Sequence, residues 1–273
     1  MSQIDQAFIK AYAGQTISNS TPEPHFMTAS RVPDSNHEVT GLPLHPGTLS
    51  ATAPAAALDT LEPRQWVDRF ELPETCQSLI EIAGVQLKQL AEVVCAHGDR
   101  GGKLVLVTGC ARGEGRSSTL LCLAHLLARS DRRVAVVDAD FARAGLARHV
   151  GLTPAVGWLD VLDGSNSLAE SLIAARSDAM TLLPLSGPAP ATDLKGCLPR
   201  MRLSFALLRK HYDHVLIDAG PLDDAESLVD HAHVDAAILV HKAGPQADAE
   251  LKRVERLLAQ HEIPLLGVAE NFG

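Results

Sequence analysis

The chain has 273 residues, of which 46% are apolar, so it is long enough to bury the core of one domain and carry a short appendage. Its formal charge of −9 argues against a domain-wide basic surface, and we expect no nucleic-acid partner. No run approaches the roughly 18 apolar residues of a membrane span, and the N-terminus lacks the pattern of a signal peptide. These properties predict a cytoplasmic protein that would reach the inner face of a membrane only through a partner.

The first 63 residues differ in composition from the rest. Apolar residues recur at helical spacing within residues 1–13, which predicts either a short docking helix or a disordered tail. Residues 14–63 contain seven prolines and a single basic residue, Arg31. Such a segment buries too little apolar surface to offset its ordering entropy, so we predict a flexible, disordered linker. The folded domain is predicted to span residues 64–273.

Within that domain, short β-rich runs alternate with helical ones. A long helix is predicted between Pro73 and His97, because apolar residues recur there at helical spacing. Strands are predicted at 103–108, 133–138, 180–184, 214–218, 235–241 and 264–269. Further helices are predicted near 116–130, 194–211, 224–232 and 247–261. This alternation predicts an α/β fold, a mostly parallel sheet with helices on both faces, and a ligand beyond the C-terminal ends of the strands.

A glycine-rich turn follows the first of these strands, where residues 107–119 read VTGCARGEGRSST. Gly113 and Gly115 permit a backbone turn that points successive N–H groups at a phosphate, and the next helix adds the positive end of its dipole. Ser117, at the start of that helix, is placed to put its hydroxyl on Mg²⁺. The turn therefore predicts a nucleotide triphosphate site, although a tight strand–helix connection has the same pattern.

Carboxylates follow two other strands. Asp138 and Asp140 come at the end of one strand, and Asp218 ends another. Carboxylates at neighbouring strand ends, facing an anion-binding loop, are what a Mg²⁺–triphosphate requires. A second interpretation remains for Asp138 and Asp140, because aspartate is also a favoured residue at helix N-termini.

The stretch from about Lys103 to the C-terminus resembles the ParA/MinD-type P-loop ATPases, and within them the bacterial tyrosine kinases of exopolysaccharide synthesis and export. Those kinases carry a loop PGEGKS, a strand ending in DADLRRP and another ending in DTPP. The matching text here is RGEGRSS, DADFARA and DAGP. The resemblance implies a P-loop NTPase fold with ATP and Mg²⁺ as cofactors. It also implies a membrane-anchored polysaccharide chain-length or export protein as partner, and a homo-oligomer is a further expectation.

The resemblance also assigns roles to individual residues. The nucleotide-binding set that it implies is Arg112, Gly113, Glu114, Gly115, Arg116, Ser117, Ser118 and Asn271, the last of these near the adenine. The catalytic set is Asp138, Asp140 and Arg116. The metal-binding set is Ser117, Asp138 and Asp218.

The chain departs from the family in its Walker A loop. Arg116 stands where the family has lysine, and a planar, bidentate guanidinium is not equivalent to the compact charge of an ammonium. We expect ATP binding to survive this change better than turnover, because a misplacement of about 1 Å can lower a rate 10²-fold. The additional lysine of the partition ATPases would fall at Ala111, so it is absent.

The family's usual substrate, a C-terminal tyrosine cluster, has no counterpart here. The only tyrosines are Tyr12 and Tyr212, so we expect tyrosine autophosphorylation to be weak or absent. Three functions remain open at this point: a kinase-like ATP-binding regulator of exopolysaccharide synthesis, a partition or positioning ATPase, and a pseudoenzyme that uses nucleotide only as a ligand.

Overall fold

The computed structural model describes residues 6–11, 61–189, 196–222, 233–244 and 247–272. The described strands are β1 (Gln6–Ala11), β2 (Gln65–Val67), β3 (Leu104–Gly109), β4 (Val134–Ala139), β5 (Ile173–Ala175), β6 (Met180–Leu183), β7 (His214–Pro221), β8 (Ala236–Lys242) and β9 (Leu265–Phe272). The described helices are α1 (Glu74–Asp99), α2 (Arg116–Ala128), α3 (Leu146–His149), α4 (Trp158–Asp163), α5 (Leu168–Ser171), α6 (Leu198–His211) and α7 (Ala247–Gln260). None of these helices is both long enough and apolar enough to cross a membrane.

The described strands form one nine-stranded sheet in the order β1-β9-β8-β3-β7-β4-β6-β5-β2. Every neighbouring pair from β9 to β6 is parallel. The two antiparallel contacts lie toward the edges, where β1 pairs with β9 and β5 pairs with β6. The prediction of a mostly parallel sheet is confirmed.

Helices cover both faces of this sheet, and each face has its own apolar core. Side chains alternate along β3, so that Val105 and Val107 join the core beneath α1 and α2, whereas Leu104 and Leu106 join the core beneath α4, α6 and α7. Strands buried on both faces contain little polar sequence, which is why they were visible as continuous apolar runs. Polar side chains enter this sheet mainly at strand ends, and the site lies there.

The motif-bearing strands end close to where the sequence predicts. β3 and β4 each differ by one residue from their predicted bounds, and β7 continues to Pro221. The sequence analysis missed the three-residue strands β2 and β5 and the short helices α3, α4 and α5, because four to six residues carry too little periodicity to detect. The predicted helix at 224–232 and residues 12–60 of the N-terminal segment lie outside the described residues.

The prediction of a helix within residues 1–13 is wrong for the part that is described. Gln6–Ala11 form a strand that pairs antiparallel with β9, from Gln6 opposite Phe272 to Ala11 opposite Gly267. A free sheet edge offers a row of unpaired backbone N–H and C=O groups, and pairing with it outweighs a weak helical preference. Leu61, three residues before the predicted domain boundary at residue 64, also packs against the core.

A buried histidine makes stability depend on pH. His214, at the start of β7, is 1% exposed, and neither ring nitrogen has a hydrogen-bond partner among the described residues. Burial lowers the pKa of His214 below its ordinary value of 6.5. The folded state therefore binds this proton less tightly than the unfolded chain, and stability is lost as the pH falls through about 6.5.

We predict that His214→Leu removes part of this dependence. Between pH 7.5 and pH 5.5 the urea midpoint of the variant should change in a more favourable direction than that of the wild type, whatever constant offset the new side chain introduces. Urea unfolding at the two pH values measures this difference. His149→Gln, a change at an exposed histidine, is the control and should keep the wild-type pH dependence. Equal pH dependence in His214→Leu and wild type would contradict the assignment.

Candidate active site

The glycine-rich loop connects the end of β3 to the start of α2. Gly113 has φ 80° and Gly115, which precedes the first residue of α2, has φ 84°. Both values lie in the left-handed region, where a side chain is strained and glycine is not. This confirms the backbone requirement that the sequence analysis placed on these two glycines. The loop thus presents its N–H groups and the N-terminus of a 13-residue helix to one point.

Glu114 braces the loop from inside the protein. Its carboxylate is buried and accepts hydrogen bonds from the backbone N–H of Ala111 at 2.8 Å and of Lys242 at 3.3 Å. The Asn271 side chain donates to the Glu114 carbonyl oxygen at 3.5 Å. The loop is therefore fastened to the ends of β8 and β9. The resemblance had placed Glu114 among the nucleotide-binding residues without indicating this bracing contact.

Arg116, in place of the family's lysine, is turned back onto the loop. Its side chain is buried, and Nη1 donates to the Ala111 carbonyl oxygen at 2.6 Å while Nη2 lies 3.8 Å from Asp140 Oδ2. Its Nε has no hydrogen-bond partner among the described residues. A buried donor without an acceptor is unfavourable by about 1–3 kcal/mol. Arg116 therefore keeps one buried donor that no acceptor among the described residues satisfies.

Asp138 and Asp218 face each other across two neighbouring strands. They are register partners in the parallel pair of β4 and β7. Asp138 accepts hydrogen bonds from the backbone N–H of Asp140 at 3.3 Å and of Leu146 at 3.0 Å. Asp218 accepts a hydrogen bond from the Ser117 hydroxyl at 2.6 Å. The three predicted metal-binding residues, Ser117, Asp138 and Asp218, are thus brought to one place.

The electrostatics of this pair are those of a cation site. Burial, reinforced by the charge of Asp218, raises the pKa of Asp138 to about 7. Burial also raises the pKa of Asp218 to about 6, against the opposing effects of the Ser117 hydrogen bond and of Arg116. Two buried like charges favour protonation unless a cation neutralises them. Mg²⁺ meets this need, since it binds through one or two carboxylates and fills its other positions with phosphate and water oxygens.

No group of three or more Asp, Glu, His or Cys residues in the described ranges could hold a metal by itself. A Mg²⁺ ion at a phosphate site takes only part of its coordination from the protein. Asp140 is not a helix cap within the described residues. Its carboxylate faces Arg116, while Asp138 is the residue that accepts the N–H of Leu146 at the start of α3.

Two cavities meet at the loop. One, of about 290 Å³, is lined by the loop, the carboxylates of Asp138, Asp140 and Asp218, and by Arg143 and His149. The other, of about 410 Å³, shares Gly113, Gly115 and Ser118 with the first and is completed by residues of α1 and β9 that include Asn271. We call them the carboxylate cavity and the α1 cavity.

Most of the predicted site residues come together around these cavities. The predicted site residues that line the carboxylate cavity are Gly113, Glu114, Gly115, Arg116, Ser117, Ser118, Asp138, Asp140 and Asp218. Asn271 lines the α1 cavity, whereas Arg112 is exposed and lines neither. The sequence analysis missed the contributions of Arg143, His149 and α1. Arg143 could have been found, because it lies three residues after Asp140 in the DADFARA motif.

A glycine turn with left-handed backbone connects a strand to a helix, and it faces two strand-end carboxylates and a hydroxyl at the start of the helix. This arrangement defines a P-loop nucleotide-binding fold. No family model matches the chain. It is 28% identical over 178 residues to the tyrosine-protein kinase YwqD of Bacillus subtilis (strain 168). It is 27% identical over 175 residues to EpsB of Ralstonia solanacearum, which is named as a tyrosine-protein kinase. Each match covers 63% of this chain, but 73% of YwqD and 23% of EpsB.

Solved structures show the same fold. The kinase domain of Escherichia coli tyrosine kinase ETK aligns with a TM-score of 0.60 at 21% identity, over 70% of this chain and 74% of that one. MinD from Pyrococcus horikoshii OT3, complexed with Mg-ADP, aligns with a TM-score of 0.52 at 20% identity, over 61% of this chain and 68% of that one. The chain is thus similar in sequence to bacterial tyrosine-protein kinases and in fold to the ETK kinase domain and MinD, consistent with the ParA/MinD-type P-loop superfamily.

The raised pKa of Asp218 predicts that Asp218→Asn stabilises the Mg²⁺-free protein but weakens its stabilisation by Mg²⁺–ATP. Because ionisation is less favourable in the folded state, Asp218→Asn should stabilise the Mg²⁺-free protein at pH 7.5 by roughly 1–3 kcal/mol. The gain should shrink as the pH falls through about 6 and be small at pH 4, close to the ordinary carboxyl pKa of 3.8, below which the group is protonated in both states. With Mg²⁺ and ATP the variant should show a smaller rise in melting temperature than the wild type.

Urea unfolding in EDTA at both pH values and thermal unfolding with Mg²⁺–ATP measure these effects. Asp131→Asn is the matched control, since Asp131 lies in an exposed turn with φ 56°, which asparagine tolerates. A destabilised Mg²⁺-free Asp218→Asn protein, or an undiminished response to Mg²⁺–ATP, would contradict the cation-site assignment.

Proposed function

We propose that the chain is an ATP-binding, kinase-like P-loop protein that regulates exopolysaccharide biosynthesis or export together with a membrane partner. The nucleotide is held as its Mg²⁺ complex, and turnover is slow. The observation that carries this proposal is the combination of an unneutralised carboxylate pair with a buried arginine Nε that has no partner among the described residues. Without a cation, the two buried carboxylates are not neutralised. Without a phosphate, Arg116 Nε has no acceptor among the described residues.

Each residue of the site has a definite part in holding that complex. The loop N–H groups and Arg116 bind phosphate oxygens, which supply the acceptor that Arg116 Nε lacks. The Ser117 hydroxyl, Asp138 and Asp218 would hold Mg²⁺, which offsets the burial that raises both carboxyl pKa values and the charge of Asp218 that adds to it at Asp138. When bound, Mg²⁺–ATP supplies a phosphoryl group that can be transferred. Asp140 faces the same cavity and would orient the group that attacks it.

Slow turnover follows from the contacts of Arg116. Its guanidinium is fixed between the Ala111 carbonyl oxygen and Asp140, so it neutralises Asp140 and is drawn away from the position of a transferring phosphate. Phosphoryl transfer depends on positioning and on charge stabilisation at the reacting group. A cation held by other partners supplies less of both. Bound ATP would therefore persist in this site long enough for a partner to respond to it.

A regulatory role suits an enzyme of this kind better than rapid catalysis. The relatives in sequence are named as tyrosine-protein kinases, and a slow nucleotide site acts as a switch when the two nucleotide states bind a partner differently. The partner proposed here is a membrane-anchored polysaccharide chain-length or export protein, which would bring the chain to the inner face of the membrane. In the source organism, deletion of the gene should change the amount or chain length of exopolysaccharide, and Asp218→Asn should fail to restore it.

A partition or positioning ATPase is the second candidate, because the MinD structure shares the fold. The loop does not favour it. Ala111, where such ATPases carry their additional lysine, contributes only backbone groups, which bind Glu114 and Arg116. A salt-sensitive association with DNA would support this second candidate and its absence would count against it.

The decisive substitution is Arg116→Lys. Lysine cannot hold the Ala111 carbonyl and Asp140 at the same time as a guanidinium does, so its charge becomes available to the phosphates. We expect ATP hydrolysis to rise by about ten- to hundredfold, while the ATP dissociation constant changes by no more than about threefold. Such a result places the effect in the transition state rather than in ground-state binding. Steady-state hydrolysis and isothermal titration on the same preparations measure the two quantities.

Arg129→Lys is the matched control, because it makes the same exchange at an exposed arginine that lines neither cavity. It should leave both quantities unchanged. Unchanged or lower hydrolysis in Arg116→Lys, with binding intact, would show that the loop has adapted to arginine and would refute the slow-switch explanation. If the wild type shows no thermal stabilisation up to millimolar Mg²⁺–ATP, the nucleotide site itself is refuted.

A further inference from the structure

Helix α1 consists of two parts that are held differently. The helix breaks at Ala83, whose φ of −116° and ψ of 21° are not helical, and Gly84 follows the break. After the break, α1 is anchored in the core by four buried side chains, Leu87, Leu90, Ala91 and Val94. Before the break, Cys76 is the one fully buried residue of the helix. The first part is therefore tied to the domain by much less apolar surface than the second.

The first part of α1, residues 74–82, forms one wall of the α1 cavity. Leu79 and Ile82, three residues apart and thus on one side of the helix, both line the cavity. Ile82 remains 43% exposed although it lies against a cavity of about 410 Å³. An apolar surface of this kind next to a P-loop suits an aromatic ring rather than water. The opposite wall contains Gly113 and Gly115 of the loop.

Charge separates the two cavities. Glu74 and Glu270 line the α1 cavity, and no lysine or arginine is among its described lining residues. The carboxylate cavity on the other side of the loop has Arg116 and Arg143 together with three aspartates, a combination that suits phosphates accompanied by a cation. A nucleotide has a charged end and an uncharged end, so its phosphates fit the second cavity and its base and ribose fit the first. The shared loop glycines connect the two.

We infer that residues 74–82 are a hinged wall of the nucleobase pocket, in which Leu79 and Ile82 pack on the base and the break at Ala83–Gly84 is the hinge. This inference rests on the proposed ATP site and adds to it the elements that grip the base. Burial of an apolar side chain against a ring supplies affinity that the phosphates do not. The base in turn holds the wall closed, because the wall is tied to the core only by Cys76 and the partly buried Leu79 and Ile80, less than the second part of α1.

The test compares two exposed apolar residues on the same helix in the full chain. Ile82→Ser removes apolar surface from the cavity, and Val85→Ser makes the same kind of change at a residue that is 67% exposed and does not line it. Ile82→Ser should weaken ATP binding by about tenfold and leave binding of inorganic tripolyphosphate unchanged, since tripolyphosphate has no base. Val85→Ser should alter neither. Isothermal titration with Mg²⁺ present measures all six affinities.

Hydrogen exchange tests the hinge separately from affinity. ATP should slow exchange in residues 74–82 far more than in residues 85–99, while tripolyphosphate should not slow it. Gly84→Ala should reduce this ATP-dependent difference, since alanine stiffens the helix and an added Cβ at Gly84 meets no atom within 4 Å.

Equal ATP affinity in Ile82→Ser and wild type, or the same protection of residues 74–82 by tripolyphosphate as by ATP, would overturn the wall and leave the proposed function standing. Failure of the wild type to bind either ATP or tripolyphosphate would overturn both.

Discussion

The repulsion between two buried carboxylates governs this site. Asp138 and Asp218 are register partners on adjacent parallel strands, so the sheet itself fixes their separation and neither can turn away into solvent. Their raised pKa values, about 7 and about 6, show that the fold holds them against their preference for water. In the proposed site this pair would bind a cation, and the hydroxyl of Ser117, which donates to Asp218, would supply a further ligand. For Ser117 to contact Asp218, the glycine loop and the start of α2 have to lie beside the ends of these two strands.

Arg116 moderates this repulsion without removing it. Its guanidinium reaches Asp140 and the Ala111 carbonyl at once, a span for which a planar fork is suited and an ammonium is not. The loop of this chain is consequently stabilised by its own cation before any ligand arrives. In a site with lysine the charge is free to meet the phosphate, and in this one it has to be exchanged between partners. Arg116 would thus have to leave Asp140 or the Ala111 carbonyl oxygen before it could contact a phosphate.

Sequence patterns were sufficient for the central sheet and for most of the site, because buried parallel strands are continuous apolar runs and their polar ends stand out against them. The positions of Asp138 and Asp218 followed directly from this. What could not be predicted depends on contacts between distant residues. The strand β1 exists because β9 offers it a free edge, and the bracing role of Glu114 depends on the backbone of Lys242, 128 residues away. The part played by α1 depends on a helix break that no proline or capping pattern marks.

The pairing of β1 with β9 affects how the protein is made. Gln6 lies opposite Phe272, so the ribosome must synthesise almost the entire described chain before the first strand meets its partner. Asn271, which borders the α1 cavity and contacts the loop, belongs to the same late strand. Contacts of such high sequence separation form slowly and leave strand edges unpaired in the meantime. During translation the emerging chain will therefore carry a P-loop and a carboxylate pair but no completed pocket, and it becomes competent for its ligand only after β9 has left the exit tunnel.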